Sequence, residues 1–337
     1  MSSLDIGIDL GTSMILAGTP RRGIVVREPS VVAVRPKTGE LVGIGEEVYK
    51  MIGRTHMGIE VSRPIESGVI SDFEMSRTLL KVIIDKVGRQ SLFKPRVICC
   101  VPSVISGIES QSVIDAALAA GARLVCLVDE PIAAALGAGM DFSKAQGMMV
   151  VDIGGGTSDF AVLSFGGLVS KYSVRVAGRN YDNAIISHMR RRHNILIGDK
   201  TAEEAKIQIG GVYSACQNRE MEIKGRHLVS GLPAKVRVTT EELYPALSEI
   251  SLEIMRGIQT TLERTSPELV GDIQYRGVVL TGGGSLINGF DRLIERRLGA
   301  PAIIAENAVD CAMLGTLRCF KLIGEDFDGF VRVSSRM

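Results

Sequence analysis

Two short stretches, 143 residues apart, close an apolar run in the same way. Asp9-Leu10-Gly11-Thr12-Ser13 follows Ile6-Gly7-Ile8, and Asp152-Ile153-Gly154-Gly155-Gly156-Thr157-Ser158 follows Met149-Val150-Val151. After each, the chain turns apolar again at once, through Met14-Ile15-Leu16-Ala17 and Phe160-Ala161-Val162-Leu163. A short apolar run, a glycine turn and a second short apolar run predict a β-hairpin. Each hairpin carries an aspartate near the end of its first strand. A chain that does this twice is expected to fold as a duplicated α/β architecture with a cleft between its halves.

The rest of the pattern fits that plan. In the first half, strands are expected at 23–34, 97–101 and 124–128, with a helix over 110–120 that Gly121 stops. Pro131 opens a small-residue helix at 132–139. In the second half, strands are expected at 168–176, 276–280 and 302–304. Helices are expected at 184–192, 202–209, 247–262, 290–298 and 309–320. Asp141 to Gly147 is the hinge candidate. Thr201-Ala202-Glu203-Glu204 reads as a capping box, with Thr201 as N-cap.

Bulk properties narrow the function classes. Hydrophobic residues at 45% and charged residues at 23% describe a globular chain of 337 residues. A net charge of +1, no tryptophan and 4% aromatics argue against a nucleic-acid surface. The six cysteines form no C-x-x-C pair and read as buried small hydrophobes of a reducing compartment. The four histidines (56, 188, 193, 227) show no metal spacing. Neither a signal peptide nor a membrane span is expected, so the location is expected to be cytoplasmic.

The glycine turns point to phosphate. Without a Cβ, several backbone N–H groups can crowd one anion, and positive φ becomes accessible. Threonine and serine hydroxyls add donors. Gly11, Thr12, Ser13 and Met14 can hold one end of a triphosphate, and Gly154, Gly155, Gly156 and Thr157 the other. A Walker loop would need G-x-x-x-x-G-K-[ST] before a helix, and neither turn has the lysine or the helix. An aspartate beside a phosphate repels it unless a cation intervenes. Asp9 and Asp152 are therefore candidate Mg²⁺ holders, through water. A lone turn of this kind would be an ordinary hairpin, but two of them plus a third cluster, Gly282, Gly283, Gly284 and Ser285, point to a nucleotide. That third cluster suits a base or ribose. Glu203 and Lys206, three apart on one helical face, either bracket the ribose or form a surface ion pair.

The sequence resembles the bacterial actin MreB family, with its Mbl and MreBH relatives, in the actin–chaperone–sugar-kinase superfamily. The resemblance rests on DIGIDLGT (5–12), GIVVREPSVV (23–32), Met51-Ile52-Gly53, LFKPRV (92–97), DEPIAAA (129–135), VVDIGGGTSD (150–159), TSPEL (265–269) and LTGGGSL (280–286). It implies an actin-like α/β fold with two duplicated lobes around a nucleotide cleft. Lobe I would comprise 1–141 and 315–337, with a small insertion at about 32–76. Lobe II would comprise 142–314, with an insertion at about 180–250. It also implies ATP and Mg²⁺ as cofactors, with the turns on the phosphates and the helix from Thr201 and the 282–285 cluster on adenosine. Glu130 would position the attacking water, with Thr157 nearby, in a slow ATPase, although a Glu before Pro131 also suits a plain helix start.

The same resemblance implies antiparallel double filaments on the inner face of the cell membrane. There they would organise cell-wall synthesis with RodZ- and MreC-like partners. Leu92 and Phe93, beside Lys94 and Arg89, either dip into an anionic bilayer or fold back into the core. One departure bears on turnover: Gly178-Arg179-Asn180-Tyr181-Asp182 places Arg179 where many members carry an acid. A nucleotide-binding scaffold with little hydrolysis, and a small-molecule kinase of the same fold, are the alternatives. The kinase lacks an independent catalytic aspartate.

Overall fold

The computed structural model describes residues 4–55, 58–88, 93–322 and 331–335. The chain divides into two compact units, Met1–Ser143 with Val309–Met337, and Lys144–Ala308.

The first unit begins with an antiparallel meander, β1 (Asp5–Leu10), β2 (Met14–Thr19) and β3 (Gly23–Pro29). A small insertion follows: β4 (Val32–Arg35), β5 (Glu40–Ile44), α1 (Glu46–Tyr49), β6 (Glu60–Ser62), β7 (Ile65–Glu66) and β8 (Val69–Ile70). Then come α2 (Phe73–Gly88), β9 (Arg96–Val101), α3 (Gly107–Ala119), β10 (Leu124–Asp129) and α4 (Glu130–Gly137). Strands β1, β9 and β10 are parallel neighbours. They bury five of six residues each, which is why they read as near-continuous apolar runs. Ile6, Ile8, Leu79, Ile83, Val97 and Leu127 meet in one core, each worth about 1.5–3 kcal/mol of burial.

The second unit repeats the plan. An antiparallel meander, β11 (Met148–Ile153), β12 (Ser158–Ser164) and β13 (Gly167–Val174), precedes α5 (Gly178–His193), β14 (Ile195–Leu196), α6 (Asp199–Ile209), β15 (Glu220–His227) and β16 (Pro233–Thr239). Next come α7 (Thr240–Glu263), α8 (Pro267–Arg276), β17 (Val278–Thr281), α9 (Phe290–Leu298) and β18 (Ala302–Ile304). The chain then completes the first unit with α10 (Cys311–Leu322) and β19 (Val331–Ser335).

The duplication is visible in strand order. The second sheet runs β13-β12-β11-β17-β18, and the first runs β3-β2-β1-β9-β10 with β19 added at its edge. In each, the first strand of the meander sits centrally and pairs in parallel with the strand that follows the helices.

Three expectations change. Helix α6 starts at Asp199 after an N-cap at Gly198, so Thr201 is an interior residue and makes no capping box. Asp199 already supplies the acidic first-turn residue that the helix dipole favours. Helices α5 and α7 begin earlier than expected, at 178 and 240. Helices α2 and α8 are not among the expected elements, and α8 takes up Arg276, so the strand expected at 276–280 is β17 from Val278. Among the described residues, no helix is long and apolar enough to cross a membrane. All six cysteines are free thiols, and burial pushes Cys99 and Cys319 up to about 12.

Candidate functional site

Asp9 and Asp152 occupy equivalent places, each the fifth residue of a six-residue central strand. Both lie at the carboxyl edge of the parallel strands, where open α/β sheets bind ligands. The hairpin turns follow immediately: β2 starts at Met14 and β12 at Ser158.

In the first unit, Ser30 clamps the turn. Its hydroxyl donates to Gly11 O at 2.6 Å and its N–H to Ser13 O at 3.0 Å. Thr12 is buried, and its hydroxyl accepts from the Gly68 N–H at 2.8 Å, so part of its role is structural. Gly11 is required by close approach: an ideal Cβ there would sit 2.4 Å from Met14 O. Positive φ is not the reason, because Gly11, Gly154, Gly155 and Gly156 are not among the positive-φ residues. Ser13 is half-buried and Met14 exposed.

Two strands from β1, at the same edge, β10 ends in Asp129 and α4 starts with Glu130. Pro131 is the second helical residue, one later than expected. Glu130 is buried in the first turn of α4.

The turn of the second unit is tied more elaborately. Gly154 N–H donates to Thr157 O at 2.9 Å, Gly178 N–H to Gly154 O at 3.1 Å, and Arg179 N–H to Gly155 O at 2.8 Å. The first two residues of α5, Gly178 and Arg179, are therefore held against the turn itself. Lys206 is there too. Its Nζ lies 2.9 Å from Asp182 Oδ1 and donates to Gly178 O at 3.3 Å. Glu203 is half-buried on the same helix, and its charge acts on the Asp182 carboxyl. Burial raises the Asp182 carboxyl, and Lys206 opposes that rise.

The third glycine cluster packs on the same turn. Gly282 has φ 78°, and an ideal Cβ on it would lie 2.3 Å from Ile153 O. One on Gly284 would lie 3.2 Å from Gly154 O. Gly283 is exposed, while the Ser285 hydroxyl is buried and donates to Gly282 O at 2.7 Å. Of the expected residues, the 282–285 segment packs on the 154–157 turn and Lys206 reaches Gly178 beside it, while Glu203 acts on Asp182.

Asp152 has two neighbours that the motifs did not flag. The hairpin register sets it directly opposite Asp159, and the parallel register sets it beside Thr281. Thr281 Oγ1 donates to Asp152 Oδ1 at 2.6 Å. Burial raises the Asp152 carboxyl to about 7; Thr281 opposes the rise and Asp159 adds to it. Asp9 differs, with Leu16 and Cys100 as its cross-strand neighbours. Two buried carboxyls face to face, with hydroxyl oxygens nearby, form a hard all-oxygen donor set whose charge a cation would relieve. Mg²⁺ fits that chemistry at Asp152. Asp159 was legible in principle: closing a four-residue turn between Ile153 and Ser158 dictates the pairing.

Phe93 is 59% exposed, so it does not fold into the core. Leu92, its expected partner, lies outside the described residues, as do Arg89 and His56.

The profile of the MreB/Mbl protein family matches residues 3–326. The chain is 44% identical over 317 residues to the cell shape-determining protein Mbl of Bacillus cereus, covering 94% of this chain and 95% of that protein. It is 41% identical over 331 residues to the cell shape-determining protein MreB of Escherichia coli, covering 96% and 95%. Among solved structures, MreB5 of Spiroplasma citri bound to AMPPNP superposes with a TM-score of 0.91 at 36% identity, covering 98% of this chain and 99% of that one. The same protein is also known bound to ADP. The fold is the actin-like α/β architecture.

Proposed function

We propose, from the premise that this chain belongs to the MreB/Mbl family, that it is a cell shape-determining cytoskeletal protein that binds ATP and assembles with copies of itself. The observation that carries the nucleotide reading is the pair of Asp–Gly–Thr turns at equivalent strand positions of the two units. A relative of 36% identity bound to AMPPNP supports it. Gly11, Thr12, Ser13 and Met14 in one unit and Gly154, Gly155, Gly156 and Thr157 in the other serve the phosphates. Glu203, Lys206 and the 282–285 segment serve the nucleoside. Asp9 and Asp152 hold Mg²⁺ through water, and the ion supplies charge neutralisation at the phosphates.

Glu130 orients the water for a slow hydrolysis, with Thr157 assisting. Phosphoryl transfer needs positioning and charge compensation more than covalent chemistry. A buried carboxylate at a helix start suits that task. Glu130→Ala is expected to leave ATP affinity and ATP-dependent pelleting near native while slowing phosphate release about tenfold or more. Unchanged phosphate release would remove the role. The alternative is a scaffold that turns ATP over little; it rests on the sequence difference at Arg179, a cationic residue in the first turn of α5, which would compensate phosphate charge without helping to hold a metal ion. Phosphate release measured against filament mass separates the two readings.

The filaments, antiparallel and double, lie on the inner face of the cell membrane and organise cell-wall synthesis with RodZ- and MreC-like partners. Exposed Phe93, next to Leu92 in sequence, supports the contact with lipid. A single inserted side chain contributes roughly 1.5–3 kcal/mol, so monomers bind weakly and filaments bind by avidity. Phe93→Ser is expected to reduce co-sedimentation of ATP filaments with anionic vesicles several-fold while leaving pelleting without lipid intact. Equal co-sedimentation would place the lipid contact elsewhere.

A further inference from the structure

The histidines, unremarkable by spacing, are not independent. His188 and His193 lie near the end of α5, and Glu242 in the first turn of α7. Glu242 Oε1 is 2.8 Å from His188 Nε2 and 2.5 Å from His193 Nε2. The two rings stand edge to face, with centroids 6.1 Å apart. The Thr239 hydroxyl accepts from the Glu242 N–H at 3.2 Å and fixes the backbone there. The three side chains are 17%, 19% and 25% exposed, half-sheltered but reachable from solvent. Among the described residues, this is the one cluster of three or more histidine, cysteine or carboxylate groups whose donor atoms all lie within 4.8 Å of one another.

We propose that His188, His193 and Glu242 form a binding site for one divalent transition-metal ion of the zinc class. Two imidazole nitrogens and one carboxylate oxygen are a donor set that zinc uses with a fourth position left to water. The set suits zinc, nickel or copper and not magnesium, which demands oxygen ligands. This separates the site chemically from the nucleotide site. With zinc–ligand bonds of about 2.0–2.2 Å in a tetrahedron, the donor atoms would stand about 3.3 Å apart. The observed separations of 2.8 and 2.5 Å need to open by roughly 0.5 and 0.8 Å, within reach of a rotation of Glu242. Each imidazole aims its Nε2 at the same carboxylate oxygen. On binding an ion, each neutral ring would present the Nε2 lone pair and carry its proton on Nδ1, so the two imidazoles and the carboxylate form three bonds to the ion with no net proton released. Burial raises the Glu242 carboxyl, but the bonds from His188 and His193 outweigh burial and hold it below its ordinary value. The ion would staple the last two turns of α5 to the first turn of α7. The opposite end of α5 holds Gly178 and Arg179 against the 154–157 turn through their backbone N–H groups.

The test uses the full chain, stripped with chelator and then titrated with zinc chloride, with magnesium chloride as control. Binding is read by calorimetry and by thermal unfolding. One zinc per chain is expected, with the melting temperature rising by roughly 5 °C or more at saturating zinc and unmoved by the same concentration of magnesium. The double variant His188→Gln, His193→Gln keeps an N–H donor at each position but removes the ligand nitrogens. It is expected to fold, by circular dichroism, and to lose at least tenfold in zinc affinity. Glu242→Gln provides a second variant, with the same expectation. Failure of the native chain to bind zinc stoichiometrically, or unchanged zinc affinity in both variants, overturns the proposal.

Discussion

Replacing Asp152 with asparagine is expected to remove Mg–ATP binding and, at the same time, to stabilise the nucleotide-free chain. The two effects have one cause. Asp152 is buried opposite Asp159, and its carboxyl is raised from 3.8 to about 7, chiefly by burial. The unfolded chain restores the ordinary value. Below about pH 4 the group is neutral in both states and costs nothing. As pH rises from there through 7, the unfolded state releases its proton first, so folding loses stability until the native carboxyl ionises too. At pH 8 the cost is on the order of 2–4 kcal/mol in the absence of a cation. Asparagine keeps an oxygen for the Thr281 hydroxyl and carries no charge. In chelator at pH 8 the variant is expected to unfold at higher denaturant than the native chain, and the gap is expected to close towards pH 4. Calorimetry is expected to show Mg–ATP affinity reduced at least about 100-fold, because the ion has lost its buried charge partner. A variant that is less stable than the native chain at pH 8, or that binds Mg–ATP normally, would show that this carboxylate does not hold the cation.

The second large effect is expected at Gly315. Helices α4 and α10 touch backbone to backbone through a reciprocal pair of glycines. An ideal Cβ on Gly315 would lie 1.7 Å from Ala133 O, and one on Gly137 would lie 1.8 Å from Cys311 O. Backbone atoms cannot rotate aside as a side chain can, so even one methyl group forces the helices apart by more than an ångström. Gly315→Ala is expected to cost about 3 kcal/mol or more in denaturant unfolding. Ala133 lies one turn from Glu130, so the displacement is also expected to slow phosphate release in whatever fraction remains folded. Gly271→Ala, in α8 with open space around its Cβ, is the control. It is expected to be neutral or to stabilise by up to about 1 kcal/mol. Equal behaviour of the two variants would mean that the α4–α10 approach is looser than described.

Much of this was legible in one dimension. Alternating apolar runs and glycine turns marked β1, β2, β11 and β12 and put Asp9 and Asp152 at strand ends, because a hairpin is decided within a dozen residues. Clustered glycines at 282–284 were legible for the same reason, although they turned out to be needed to let Ile153 and Gly154 pack on them. The failed capping box at Thr201 shows the limit of local signals. Ser/Thr-x-x-Glu says that a helix can start, while the backbone at Gly198 and the acid at Asp199 start it three residues earlier.

By itself, the sequence determined the duplicated strand–turn plan, the identity and place of the two aspartates, and membership of the family. The first two rest on short-range periodicity and turn chemistry, which need no partner from elsewhere, and the family rests on the resemblance of whole motifs. Only the tertiary structure decided what those residues experience. Asp152 meets Thr281 from 129 positions away, and His188 and His193 meet Glu242 from 54 and 49 away. Helix α4 meets a glycine of α10 that the chain supplies only after building the whole second unit. Charge, desolvation and close packing are set by neighbours in space, and which neighbours arrive depends on sheet order and helix crossings that no local pattern encodes.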